Sequence, residues 1–187
     1  RALIWASLWD SVRDGELSAS DYIAIALNAL GTETDISIVS ATTTNIETAI
    51  WQYASPAHRQ TLRATVADSL GKFLKTAPVG SDHQLAFARG FAESAATTEQ
   101  SKEILEILNG SIKGLTVDAE IRWHLLICAV KRGLLGASDI DAELAKDNTA
   151  HGKQYGALAH AAIPTAQAKE KAFKAVTQES LSNTIHA

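Results

Sequence analysis

Apolar residues recur along this chain at the spacing of helical turns. Leu62, Val66, Leu70 and Phe73 succeed one another at intervals of four, four and three, and Val39, Ile46, Ile50 and Tyr53 keep a common face. A period near 3.6 predicts amphipathic helices. Residues 36–44 are rich in β-branched side chains, which by propensity favour a strand, but the longer period predicts a helix there too. Start and stop signals divide the pattern into short elements. Ser18 and Asp21 precede Tyr22, Ile23, Ala26, Leu27 and Leu30, with Gly31 as a stop. Asp35 can cap the next helix, and Ser55-Pro56 ends it and starts another. Ala77-Pro78-Val79-Gly80 is a linker, the one soft boundary within a single domain spanning 1–187. Ser81-Asp82 opens a helix carrying Ala88, Phe91, Ala92 and Ala95, and residues 98–108 form a shorter one ending at Asn109-Gly110. Asp118 opens a helix that stops at Gly133. Ser138 opens a short helix with Ile140 and Leu144, and residues 148–163 and 165–176 predict two more.

The helix from Ala119 differs from the others. Ile121, Leu125 and Cys128 line one face, and Trp123, Ile127 and Val130 another. A helix apolar on two faces is usually buried between neighbours. The expectation is an all-α chain of about ten helices of roughly 8 to 20 residues, stacked as antiparallel pairs in a HEAT- or armadillo-like superhelix. No strict sequence period is present, so such a repeat would be structural only. No strand pair, hairpin signal or βαβ pattern appears.

Composition narrows the classes. The chain has 187 residues, 46% hydrophobic and 20% charged, values ordinary for a globular protein with a sizeable core. A net charge of −4 offers no basic surface for nucleic acid. The longest strongly apolar run, residues 125–130, is far too short to cross a membrane, and residues 1–5 lack the zones of a signal peptide. These features make the cytoplasm the default expectation. Arg1 at the start, in a chain with no Met, suggests a segment of a longer polypeptide. The single cysteine, Cys128, excludes an intrachain disulfide; it reads as a small buried hydrophobe.

Motifs that carry chemistry are scarce. A zinc peptidase helix needs His-Glu-x-x-His, which puts two ligands one turn apart with a Glu to activate water. The histidines here are His58, His83, His124, His151, His160 and His186; none precedes Glu and no two are four apart. No metal site of this chain's own is expected. Asp139, Asp141 and Glu143 mimic the first ligands of a calcium loop, but Leu144 stands where Gly is required and Ala150 where Glu is. Gly71-Lys72 lacks the earlier glycine of a P-loop, and no Gly-x-Ser-x-Gly occurs. Asn109-Gly110-Ser111 matches a glycosylation sequon but reads as a turn.

One constellation carries more information. Val117-Asp118-Ala119-Glu120-Ile121-Arg122-Trp123-His124 is succeeded by Gly133, then Asp147 with Gly152, then Ala161-Ala162-Ile163-Pro164, then Lys171 with Phe173. Leu8-Trp9-Asp10, Val12-Arg13-Asp14-Gly15-Glu16-Leu17 and Ser20-Asp21-Tyr22 fit the start of the same pattern more loosely. This order resembles the C-terminal helical domain of M1 zinc aminopeptidases of the aminopeptidase N type, with a flavour closest to actinobacterial members. It is strongest over residues 114–176; Phe173 stands where that family often has Trp. The resemblance implies an all-helical domain that packs on a catalytic domain, roofs the active site and helps select peptide substrates. Zinc would belong to the parent enzyme. The family's Gly-x-Met-Glu-Asn loop is absent, so this chain alone is expected to be non-catalytic.

The resemblance also suggests candidate residues. Arg122 could meet a peptide carboxylate, since its guanidinium suits two-pronged contact, or form a structural salt bridge to Glu120, Asp118 or Asp147. Tyr155 is a candidate polar-tipped wall residue for substrate. Trp123, Asp147, Gly152 and Pro164 form the structural motif, with Trp123 as core and Asp147 as cap of the helix near Asn148. A different class of function stays open on sequence: a free-standing helical-repeat scaffold that binds a protein or peptide partner.

Overall fold

The computed structural model describes residues 2–177, so Arg1 and His186 lie outside the described residues. The described residues hold ten α-helices and one π-helical turn joined by short loops, with no strand among them. They are α1 (Ala2–Arg13), α2 (Ala19–Leu30), α3 (Ile36–Thr48), the π-turn (Ala49–Tyr53), α4 (Pro56–Thr76), α5 (Asp82–Ser94), α6 (Thr98–Leu108), α7 (Ala119–Lys131), α8 (Ala137–Lys146), α9 (Ala150–Ala162) and α10 (Ala166–Val176). No helix of the described residues is long and apolar enough to cross a membrane. Two compact units result. The first holds residues up to Gln100 with Ile112–Thr116, and the second holds Ser101–Ser111 with the chain from Val117.

In the first unit α4 packs chiefly on α5, and α3 lies against α5 as well. Most of the apolar stripes predicted from the sequence form its interior: Tyr22, Ile23, Leu30, Val39, Ile46, Ile50, Val66, Leu70 and Phe91 are all at most 2% exposed, whereas Tyr53, expected on the face of Ile46 and Ile50, lies in a π-turn and is 41% exposed. Gly90 shows how close these helices run. A Cβ there would sit 2.8 Å from Thr43 Cγ2 and 2.9 Å from Leu70 Cδ1, so any larger residue would have to push these side chains aside for α5 to approach α3 and α4 as closely. The linker at 77–80 turns the chain from α4 to α5 inside this unit. Gln84 pins it, accepting from the Gly80 N–H at 2.9 Å and donating to the Lys113 carbonyl at 3.1 Å.

Helix α3 forms despite its β-branched run. Asp35 Oδ1 accepts from the Ser37 N–H at 2.9 Å. The Thr43, Thr44 and Thr48 hydroxyls donate to carbonyls one turn back at 2.9, 3.1 and 3.0 Å. These bonds satisfy the hydroxyls without ending the helix, and the burial of Val39 and Ile46 holds α3 in place despite its β-branched run. Nothing in the sequence pattern foretold how α3 ends. Its last turn widens, and the Ala54 N–H bonds the Ala49 carbonyl five residues back at 2.8 Å. Such π-turns are short and often mark functional positions.

In the second unit α9 is central, contacting α7, α8 and α10. The expectation for α7 holds: Ile121, Trp123, Leu125, Leu126, Ile127, Cys128 and Val130 are all buried. Asp118 caps it through the Ile121 N–H at 3.1 Å, and Gly133, at φ 72°, lets the chain leave. Two helix starts differ from the sequence reading. Helix α8 begins after Gly136 rather than Ser138, because Asp139 Oδ2 reaches back to the Gly136 N–H at 2.9 Å. Helix α9 is capped by Thr149 rather than Asp147. Thr149 Oγ1 accepts from the Gly152 N–H at 3.0 Å, a reach that its neighbour Asp147, two residues further back, does not make.

Candidate functional site

The signature residues of the sequence meet around the first turns of α7. Successive helical positions point about 100° apart, so Arg122 and Trp123 serve different neighbours. Arg122 reaches α8: its Nε donates to Glu143 Oε1 at 2.8 Å and its Nη2 to Oε2 at 2.7 Å. This is the paired geometry that a guanidinium fork favours. Lys146 Nζ adds a third contact to Glu143 Oε2 at 3.2 Å. The Glu143 side chain is 7% exposed, against 31% for Arg122. Hydrogen bonding from Arg122 holds the Glu143 carboxyl below its ordinary value, and the same bond pushes the Arg122 guanidinium up. Arg122 does form a structural salt bridge, but to Glu143 rather than to Glu120, Asp118 or Asp147. A carboxylate on α8 one turn after Asp139 was the available signal.

Trp123 reaches the α8–α9 turn. Its ring is 1% exposed and its Nε1–H donates to Asp147 Oδ2 at 2.8 Å. Asp147 Oδ1 accepts from the Thr149 hydroxyl at 2.6 Å and from its N–H at 3.3 Å. The Thr149 hydroxyl bond, then the Trp123 indole, hold the Asp147 carboxyl below the usual range. Tyr155 on α9 stacks on Trp123, with centroids 6.2 Å apart and planes at 22°. Gly152 permits the turn to close, since a Cβ there would lie 2.1 Å from the Asp147 carbonyl oxygen. Pro164 comes just after the end of α9, beside Gly133. Phe173 stands apart from this cluster, 68% exposed.

The motif residues thus form one chain of contacts, from α7 through Asp147 and Thr149 to α9, with the Arg122–Glu143 pair alongside. What this arrangement does chemically is to satisfy buried donors and carboxylates against one another, which fastens three helices. Cys128 is buried, its Sγ 3.8 Å from His124 Nε2 one turn earlier. His160 pairs with Asp141 at 3.0 Å.

These carboxylates make the unit acid-sensitive. Both are held low in the folded state, so they stabilise it fully above their unfolded values, near 4.5 for Glu143 and 3.8 for Asp147. That stabilisation fades as pH falls through the lower folded values. Glu143→Gln is therefore expected to cost about 1–2 kcal/mol at neutral pH and to flatten the loss of stability below about pH 4.5. Urea unfolding across a pH series checks both; a variant whose acid decline parallels the parent's would refute the assignment.

A helical domain whose signature residues fasten its own helices defines a class, and sequence comparison gives that class its family. The model for the ERAP1-like C-terminal domain matches residues 1–186, and the chain belongs to that family, corresponding to the C-terminal domain of an M1 aminopeptidase. It is 42% identical over 188 aligned residues to aminopeptidase N of Streptomyces lividans, covering 99% of this chain and 22% of that protein. The chain thus spans about a fifth of the length of that relative.

Proposed function

We propose that this chain is the non-catalytic domain that caps the active-site chamber of an M1 zinc aminopeptidase and helps select the peptides it trims. The observation that supports the reading is 42% identity to aminopeptidase N of Streptomyces lividans, aligned over 99% of the chain. The lack of any His-Glu-x-x-His in the sequence agrees with it. Zinc would be held by residues outside this chain, where it polarises the scissile carbonyl and activates water. The role left to this domain is physical: to restrict access and to hold the far end of a peptide. Its stacked helices, in the HEAT-like arrangement expected from sequence, would supply the curved wall.

Within this reading Arg122 is a positioning residue. Nε and Nη2 are engaged by Glu143, while Nη1 has no partner among the described residues and can face a peptide carboxylate. Tyr155, stacked on Trp123, is the adjoining wall. The test compares the full-length protein with a form ending ahead of this domain. Both are assayed on a single aminoacyl reporter and on peptides of graded length. The expected result is reporter hydrolysis that persists while discrimination by peptide length disappears. Arg122→Gln in the intact protein supplies a second readout: KM rises for longer peptides while kcat on the reporter holds. An unchanged length profile in both experiments would reject the capping role.

A further inference from the structure

The first unit carries an aromatic and cationic patch that the aminopeptidase reading leaves unused. Two elements build it. The π-turn buries Ala49 and Ile50 and turns Trp51 and Tyr53 outward, 49% and 41% exposed. Helix α4 places Arg59 and Arg63 one turn apart, and both guanidinium carbons lie over the Trp51 ring, 5.9 and 5.3 Å from its centroid. Those distances are within the range of cation–π attraction.

Both cations are pinned from behind. Arg59 Nε donates to the Ala54 carbonyl at 3.2 Å. Arg63 Nη2 donates to the Ala95 carbonyl at 2.9 Å and that of Glu93 at 3.3 Å. Tyr53 meets Trp9 edge-on at 5.8 Å, and Trp9 rests on Tyr22 at 5.4 Å. The exposed rings are therefore pre-organised, which lowers the ordering cost of binding. Trp, Tyr and Arg are also the residue types that dominate binding hot spots. The two terminal nitrogens of Arg59 have no partner among the described residues. In a chain of net charge −4, two arginines gathered on one exposed tryptophan run against the overall balance.

We propose that this patch docks a polypeptide segment in trans. An Asp or Glu carboxylate of that segment is taken by the outward nitrogens of Arg59, and an adjoining aromatic or apolar side chain covers the open part of Trp51. A carboxylate matches the guanidinium fork, and a flat apolar group gains most from a fixed indole surface. The inference does not rest on the capping role.

The test uses the full-length protein and a fluorescein-labelled peptide containing Glu-Phe-Glu. Its ends are acetylated and amidated, so that only side-chain carboxylates are offered and an aminopeptidase cannot consume it. Fluorescence anisotropy is expected to show saturable binding that weakens with salt. The Gln-Phe-Gln and Glu-Ala-Glu counterparts, Arg59→Gln and Trp51→Leu are each expected to weaken it roughly tenfold. Arg59→Lys, which keeps the charge and loses the fork, should fall between. Arg13→Gln, an exposed control paired with Asp10, should bind like the parent. Thermal unfolding confirms that each variant is folded; should Arg59→Gln fail to fold, Arg59→Lys and Trp51→Leu decide. Three results would overturn the proposal: no binding at about 1 mM peptide, an equal loss in Arg13→Gln, or a mononucleotide that displaces the peptide and binds more tightly.

Discussion

Replacing Trp123 with alanine is expected to remove about 3–5 kcal/mol of stability, the range for emptying a fully buried tryptophan site. The ring is 1% exposed and packs in one cluster with Leu126, Ile127, Val130, Ile140 and Ala159. Its loss would leave a void among helices α7, α8 and α9 and take the stacking partner from Tyr155. Trp123→Phe separates two contributions. It keeps most of the ring and deletes the Nε1–H bond to Asp147, so its expected cost is clearly below that of alanine. Urea unfolding midpoints at constant slope measure both. Should alanine cost no more than phenylalanine, the packing explanation fails and the hydrogen bond carries the site.

Gly152→Ala reverses the usual sign of a helix substitution. At an exposed interior position glycine to alanine stabilises a helix by about 1 kcal/mol. Here the new Cβ would lie 2.1 Å from the Asp147 carbonyl oxygen, 2.6 Å from its Cγ and 2.8 Å from its Oδ1. A backbone oxygen cannot rotate away as a side chain does, so the α8–α9 turn must shift. The expected cost is about 3 kcal/mol. Gly156→Ala is the control. The three atoms nearest its Cβ all belong to the side chain of Leu144, at 2.6 to 2.9 Å, which can yield by changing rotamer, so it is expected to cost clearly less. Thermal unfolding of the two variants compares them directly; a stabilised Gly152→Ala would mean that the turn is free to move and that the motif does not lock α9.

The two substitutions probe one idea from opposite sides. Trp123 and Gly152 are 29 residues apart in the chain, yet both act on Asp147, one by donating to its carboxylate and one by making room for its backbone. The cost of changing each depends on the other, so the double variant should fall short of the sum of the single effects.

Much of the fold is legible in local sequence. The 3.6-residue stripes, the caps at Ser18, Asp35, Ser81 and Asp118, and the breaks at Ser55-Pro56 and Gly133 are set by residues within a turn or two of one another. Helix α3 shows the same: its β-branched run keeps the 3.6-residue period, and Val39, Thr42 and Ile46 on that period are buried. Local rules failed where two acceptors competed. Asp147 and Thr149 are both good caps by type, and only the position of the Trp123 indole, which draws Asp147 away, leaves Thr149 to cap α9.

From the residue pattern alone came the all-helical class, the bounds of most helices, the burial of α7 on two faces and the family signature. The absence of the zinc-peptidase motif was equally plain there. Tertiary packing was needed to pair Arg122 with Glu143, to aim the Trp123 indole at Asp147, to set the linker at 77–80 inside one compact unit and to flank Trp51 with two arginines. Most of those pairings join residues well apart in sequence, and their partners are chosen by which helix faces come together. Periodicity specifies each face but not the face it meets.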